Sequence, residues 1–120
     1  MQEALEKWDL PLLTSVCPEL VKIIRKIDAR FKRDMKALGA EVRRDRCVIW
    51  ENQVHMAQMA VYATHATNGV AEIHSQILKD DVFHAWYELY PERFQNKTNG
   101  ITQRRWLGLC NPELSAMLTE

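Results

Sequence analysis

The sequence predicts a mainly α-helical fold with at most one or two short strands, and three observations carry that prediction. Apolar residues Leu20, Ile23, Ile24, Ile27, Phe31, Met35 and Leu38 recur at helical spacing. Residues that start and stop helices bracket this run and several later ones. Only residues 47–50 and 94–99 read as extended, too few to build a sheet.

Residues 3–14 form a short amphipathic opening with Leu5, Trp8, Leu10, Leu12 and Leu13 as its apolar members, and Pro11 is expected to interrupt any helix there. Pro18 suits a first helical turn, and Glu19 beside it complements the helix dipole. The helix so begun carries the apolar stripe above, with basic residues opposite, and Gly39 is its expected stop. A polar connection over residues 40–46 follows. Cys47-Val48-Ile49-Trp50 is β-branched and apolar and fits either one buried strand or the entry to a helix. Residues 54–63 are apolar on nearly every side, so a helix there should be buried, although a chain of 120 residues offers few neighbours to cover it.

The pattern breaks at residues 65–69. Val70, Ile73, Ile77 and Leu78 resume a helix that Asn68 could cap. Asp80 or Asp81 is a candidate cap for a shorter helix bearing Val82, Phe83, Trp86, Tyr87 and Leu89, which ends before Pro91. After the extended piece at 94–99, Thr102 is expected to cap a helix reaching about Leu109. Asn111-Pro112-Glu113 opens the last helix with a cap, a proline at the first position and an acid in the first turn.

At 120 residues the chain is one domain at most, and its formal net charge is zero, which argues against a nucleic-acid or membrane binder. The zero hides an asymmetry: residues 22–46 hold ten Lys or Arg against four Asp or Glu. That is either a solvated helix face with its loop or a basic patch for an anionic partner. Cys17, Cys47 and Cys110 are widely spaced and odd in number, which disfavours a zinc or redox motif and fits free thiols in a reducing cytoplasm. No apolar run approaches the roughly 20 residues of a membrane span. Asn96-Lys97-Thr98 matches a glycosylation sequon, read as a chance match.

Chemistry-bearing constellations are few. His55, His65, His74 and His84 make no metal-binding helical pair, and no metal site is expected. Asp80-Asp81 reads as a cap, since sequence neighbours on a helix do not face one another. No phosphate-cradling or nucleophile-elbow motif is present. Asn68-Gly69-Val70 and Thr98-Asn99-Gly100 each read first as turns. The second gains weight from Arg104-Arg105-Trp106, because amides, hydroxyls and guanidiniums together suit a polar, many-hydroxyl ligand.

These segments also carry a family resemblance. It runs through Glu3-Ala4-Leu5-Glu6-Lys7-Trp8, Asn68-Gly69-Val70-Ala71-Glu72-Ile73-His74-Ser75, Val82-Phe83, Tyr87-Glu88-Leu89 and Pro91-Glu92. Phe94-Gln95-Asn96-Lys97-Thr98-Asn99-Gly100-Ile101-Thr102, Arg104-Arg105-Trp106 and Cys110-Asn111-Pro112 complete it. On these residues the chain resembles the α-glucan phosphorylases (glycogen, starch and maltodextrin phosphorylases), as a small central slice of a longer two-domain α/β polypeptide. One departure is Gln103, where the family usually has proline.

The resemblance implies a fragment of an enzyme that cleaves α-1,4-glucan with phosphate to give glucose 1-phosphate, using pyridoxal phosphate. It implies that residues 1–98 end the first domain and 99–120 start the second, the isolated piece forming one compact unit. Val70, by its backbone, and Asn99 are expected beside the glucosyl unit, and Trp106 near the coenzyme; Arg104, Arg105 and His74 receive no role beyond a structural one. In the family, the coenzyme-binding lysine, a catalytic histidine and the phosphate-binding cations lie outside this slice. The isolated chain is therefore expected to bind no pyridoxal phosphate and to be inactive. Its exposed apolar faces imply a homo-oligomer. Two other readings stay open from the residues: a non-catalytic helical module that binds a partner or glycan, and a basic-helix anion binder using residues 22–46.

Overall fold

The computed structural model describes residues 5–119; Glu3 and Ala4, where the resemblance begins, lie outside the described residues. The chain is mainly helical. Strand β1 (Lys7–Asp9) leads into helix α1 (Leu10–Val16) and then α2 (Pro18–Ala37). Pro11 starts α1 instead of interrupting it, because it falls in the first turn, where its missing N–H has no helical acceptor to lose. Pro18 does the same for α2. The α2 end is a full Schellman closure: Gly39 takes φ +66°, its N–H donates to Lys36 O at 3.2 Å, and the Ala40 N–H donates to Met35 O at 2.9 Å.

The buried face of α2 is Val21, Ile24, Asp28, Phe31 and Met35. Leu20, Ile23 and Leu38, expected on that stripe, are exposed. The face is rotated because a polar residue docks it: Asp28 Oδ1 accepts the Ile49 N–H at 3.3 Å, while its other oxygen pairs with Lys32 at 2.7 Å.

Five short strands are present among the described residues, more than the one or two expected. Strands β2 (Ile49–Trp50) and β3 (Gln53–His55) form a hairpin, and β1 pairs antiparallel on the other side of β3. The hairpin escapes sequence reading because its two-residue turn is Glu51-Asn52, both at positive φ (48° and 65°), where Asn-Gly is the usual signal. Helix α3 (Met56–Ala63) follows; it is half-buried and turns only Val61 fully inward. Strand β4 (Thr67–Gly69) runs parallel to β5 (Phe94–Asn96), in the register Thr67–Phe94, Asn68–Gln95, Gly69–Asn96.

Between them lie α4 (Glu72–Ile77), a wide π turn at Leu78–Val82, α5 (His84–Tyr87) and a 3₁₀ turn at Pro91–Arg93. Asp80 and Asp81 sit inside the π turn and do not cap α5; the Phe83 N–H reaches five residues back to Leu78 O at 2.9 Å. Asn68 likewise caps nothing, since α4 starts after Ala71. The core gathers Phe31, Tyr62 and Trp86, whose ring centroids lie 5.3–6.4 Å apart, with Ile24, Met35, Val48 and Val54 around them.

The C-terminal stretch is different. A π-helical segment (Arg104–Leu109) begins without side-chain capping from Thr102, whose carbonyl accepts the Trp106 N–H at 2.9 Å. Helix α6 (Pro112–Thr119) begins as expected, with the Leu114 N–H donating to Asn111 Oδ1 at 3.2 Å. Neither segment buries a residue. The radius of gyration is 20.0 Å, against about 14 Å for a compact chain of this length.

Candidate functional site

The parallel β4–β5 ladder continues beyond its strands. The Lys97 N–H donates to Gly69 O at 3.0 Å, and the Asn99 N–H donates to Val70 O at 2.9 Å. Positions 70 and 99, which lie far apart in sequence, are therefore clasped backbone to backbone at one end of the ladder. Both side chains are exposed there.

Three neighbours hold this corner. Gly69 is required by close approach and not by a turn conformation: a Cβ there would lie 2.7 Å from Ser75 Cα. Ser75 is buried and donates its hydroxyl to Ala71 O at 3.0 Å. The Asn96 carboxamide fits with its nitrogen donating to Gly69 O (3.0 Å), Ala71 O (3.1 Å) and Ser75 Oγ (2.8 Å), while its oxygen accepts from Thr98 at 3.1 Å; donors then meet acceptors throughout. Asn96 is exposed, and its amide is engaged by these internal partners. The Val70 N–H donates to His74 Nδ1 at 3.2 Å, so His74 orients the loop. Sequence reasoning left Asn96, Ser75 and His74 without roles. The available signal was the run from Asn68 to Ser75, but nothing in it shows that its far end folds back onto Gly69.

Trp106 is not gathered into this corner. It is 56% exposed, on a segment that packs against α6. Among the described residues, no hydrogen bond joins its indole to Val70 or Asn99, and Arg104 and Arg105 likewise have no side-chain partner. Cofactor sites enclose most of their ligand. The Arg104–Leu109 segment buries nothing, so the residues present supply one wall and do not fit a whole pyridoxal phosphate site.

A second constellation lies elsewhere. Gln58 Oε1 accepts from the Cys47 N–H at 2.8 Å and from Trp86 Nε1 at 3.3 Å; its Nε2 donates to Arg44 O at 3.0 Å and faces His55 Nδ1 at 3.2 Å. Burial, then the charge of Asp28, pushes the Cys47 thiol up to about 11, leaving it unreactive at neutral pH. Burial, then the Asp34 hydrogen bond, pushes Tyr62 up to about 12, so its hydroxyl stays a donor to Asp34 at 2.6 Å.

The carbohydrate phosphorylase family model matches residues 1–120. The chain is 46% identical over its whole length to a maltodextrin phosphorylase from Streptococcus pneumoniae. It is 45% identical to the human muscle form of glycogen phosphorylase and 43% identical to the wheat (Triticum aestivum) α-glucan phosphorylase H isozyme, again over all of this chain. In each case the match spans about 15% of the relative's length. The chain belongs to the carbohydrate phosphorylase family. No helix among the described residues is long and apolar enough to cross a membrane.

Proposed function

We propose that this stretch supplies the glucosyl-facing corner of an α-glucan phosphorylase. The longer enzyme would split α-1,4-glucosidic bonds with inorganic phosphate and release glucose 1-phosphate. The observation that carries the reading is the 2.9 Å clasp between the Asn99 N–H and Val70 O, which sets two positions expected beside the sugar next to each other. A carboxamide there can give and take hydrogen bonds with sugar hydroxyls. Gly69, Asn96, Ser75 and His74 hold the backbone while the Asn99 side chain stays open to ligand.

Trp106 is assigned to one wall of the pyridoxal phosphate pocket, the rest of which other parts of the longer polypeptide would provide. Bound there, the coenzyme supplies a phosphate group for proton transfer. We place the domain boundary near residues 98 and 99; its support is that every fully buried residue described precedes it, Phe94 being the last. A cytoplasmic setting is supported by three free cysteines. The 120 residues alone are assigned no turnover and no coenzyme binding.

Grafting this stretch into the pneumococcal maltodextrin phosphorylase, in place of its own equivalent, tests the reading. The chimera should phosphorolyse maltodextrin, and Asn99→Ala within it should lower kcat/KM by about tenfold or more, the loss of roughly one well-made hydrogen bond. An unchanged Asn99→Ala chimera, or glucose 1-phosphate released by the purified 120-residue chain, overturns it. Self-association of the isolated chain is a second expectation, because Trp106, Leu109, Met117 and Leu118 are all exposed. Light scattering should give a mass that rises with concentration; a sharp monomer mass at high concentration counts against it.

A further inference from the structure

We propose that the cleft between β1, the turn at residues 43–46 and the start of α5 binds a small phosphomonoester, at a site separate from the Val70–Asn99 corner. The cleft has a volume of about 610 Å³. Its polar wall carries Lys7, Arg43, Arg44, His55 and Gln58 together with the one carboxylate, Asp45, which Arg43 pairs at 3.2 Å, and its apolar wall carries Leu5, Val82 and Phe83.

The polar wall is built, not merely basic. Lys7 lies directly opposite His55 in the β1–β3 register, so the two side chains share a face. The turn is pinned from both sides. Arg43 and Arg46 exchange backbone hydrogen bonds at 3.1 and 2.9 Å, and the buried Arg46 side chain donates to Glu41 O at 3.1 Å and Ala85 O at 3.2 Å. Arg43 is committed to Asp45 at 3.2 Å. Arg44 has no side-chain partner among the described residues and stays available to a ligand.

His55 provides the directional donor. Gln58 Oε1 already accepts two N–H groups, so its Nε2 must face the imidazole, and Nδ1 must accept. The ring proton therefore sits on Nε2. The residue is only 5% exposed, and no buried side-chain nitrogen or oxygen lacks a partner among the described residues. Nε2 has no protein partner among those residues, so it is the part of the ring that reaches the open cleft. One guanidinium, one ammonium and one imidazole N–H thus line the same cleft, the kinds of donor a phosphoryl group needs. The apolar wall and the volume leave room for an organic body on that phosphate.

The test uses the 120-residue chain with three probes: phenyl phosphate, inorganic phosphate and phenol. The His55 ring resonances are followed by NMR, since a ring this buried reports only ligands in the cleft. Phenyl phosphate should shift them saturably and bind about tenfold or more tightly than inorganic phosphate, with phenol silent. Arg44→Gln, an exposed change that leaves the fold intact, should weaken binding about tenfold; Arg25→Gln, on the exposed face of α2, should leave it unchanged. Unmoved His55 resonances overturn the proposal, as do equal losses in the two variants, which would indicate a diffuse charge effect. Equal binding of phenyl phosphate and inorganic phosphate overturns the assignment to an ester.

Discussion

At the scale of single residues, the corner depends on what cannot be added as much as on what is present. Gly69 has ordinary backbone torsions, yet Ser75 Cα stands where a Cβ would go. Gly69→Ala must push backbone apart and should cost about 1–3 kcal/mol in urea unfolding, as overpacked sites do. Ser75→Gly in the same chain should recover little, because the clash is with main chain. A full-stability Gly69→Ala protein would show that the loop is looser than drawn. Gln103 illustrates the opposite case. Its φ of −57° and ψ of −45° are torsions that proline accepts at a first helical turn, so the departure from the family's usual residue leaves the local backbone in the same shape. Asn99 was singled out in the sequence by its family resemblance; the service that Asn96 renders three residues earlier was not legible there, because a carboxamide's partners are chosen by the tertiary fold.

At the scale of elements, the helices follow their sequence signals more closely than the strands do. Prolines 11, 18 and 112, Gly39 and Asn111 all mark helix ends by local rules. The strands are two or three residues long, too short for alternation to register, and their partners come from distant segments. Gln58 joins α3 to both the 43–46 turn and α5, beside the Arg46 side chain that ties the turn to Ala85 O. Gln58→Leu strands the fully buried Trp86 and Cys47 N–H groups and removes the donors to Arg44 O and His55. Thermal or urea unfolding should show a loss of at least about 2 kcal/mol. Gln58→Glu keeps the two acceptor bonds and should lose less. Equal losses would locate the effect in packing.

At the scale of the whole molecule, the clearest pH response comes from His55. Burial first, then the positive charges of Lys7 and Arg44, holds its imidazole below the ordinary 6.5. The unfolded chain therefore takes up a proton before the folded one does. Stability contributed by the neutral ring is full above about pH 6.5 and falls as pH drops below that value. Midpoints of urea unfolding between pH 7.5 and 5 should decline, and His55→Gln should flatten the decline. A slope unchanged in that variant would assign it to other groups.

The sequence by itself determined the helical character, the helix ends and the family, because these rest on short-range periodicity, capping chemistry and an ordered run of motifs. Only the tertiary structure decided that Val70 meets Asn99, that the α2 face turns on Asp28, and that Arg44 and His55 share a cleft with Lys7. Each of these joins segments far apart along the chain, and such pairings are chosen by the packing of the whole molecule, which no local spacing encodes.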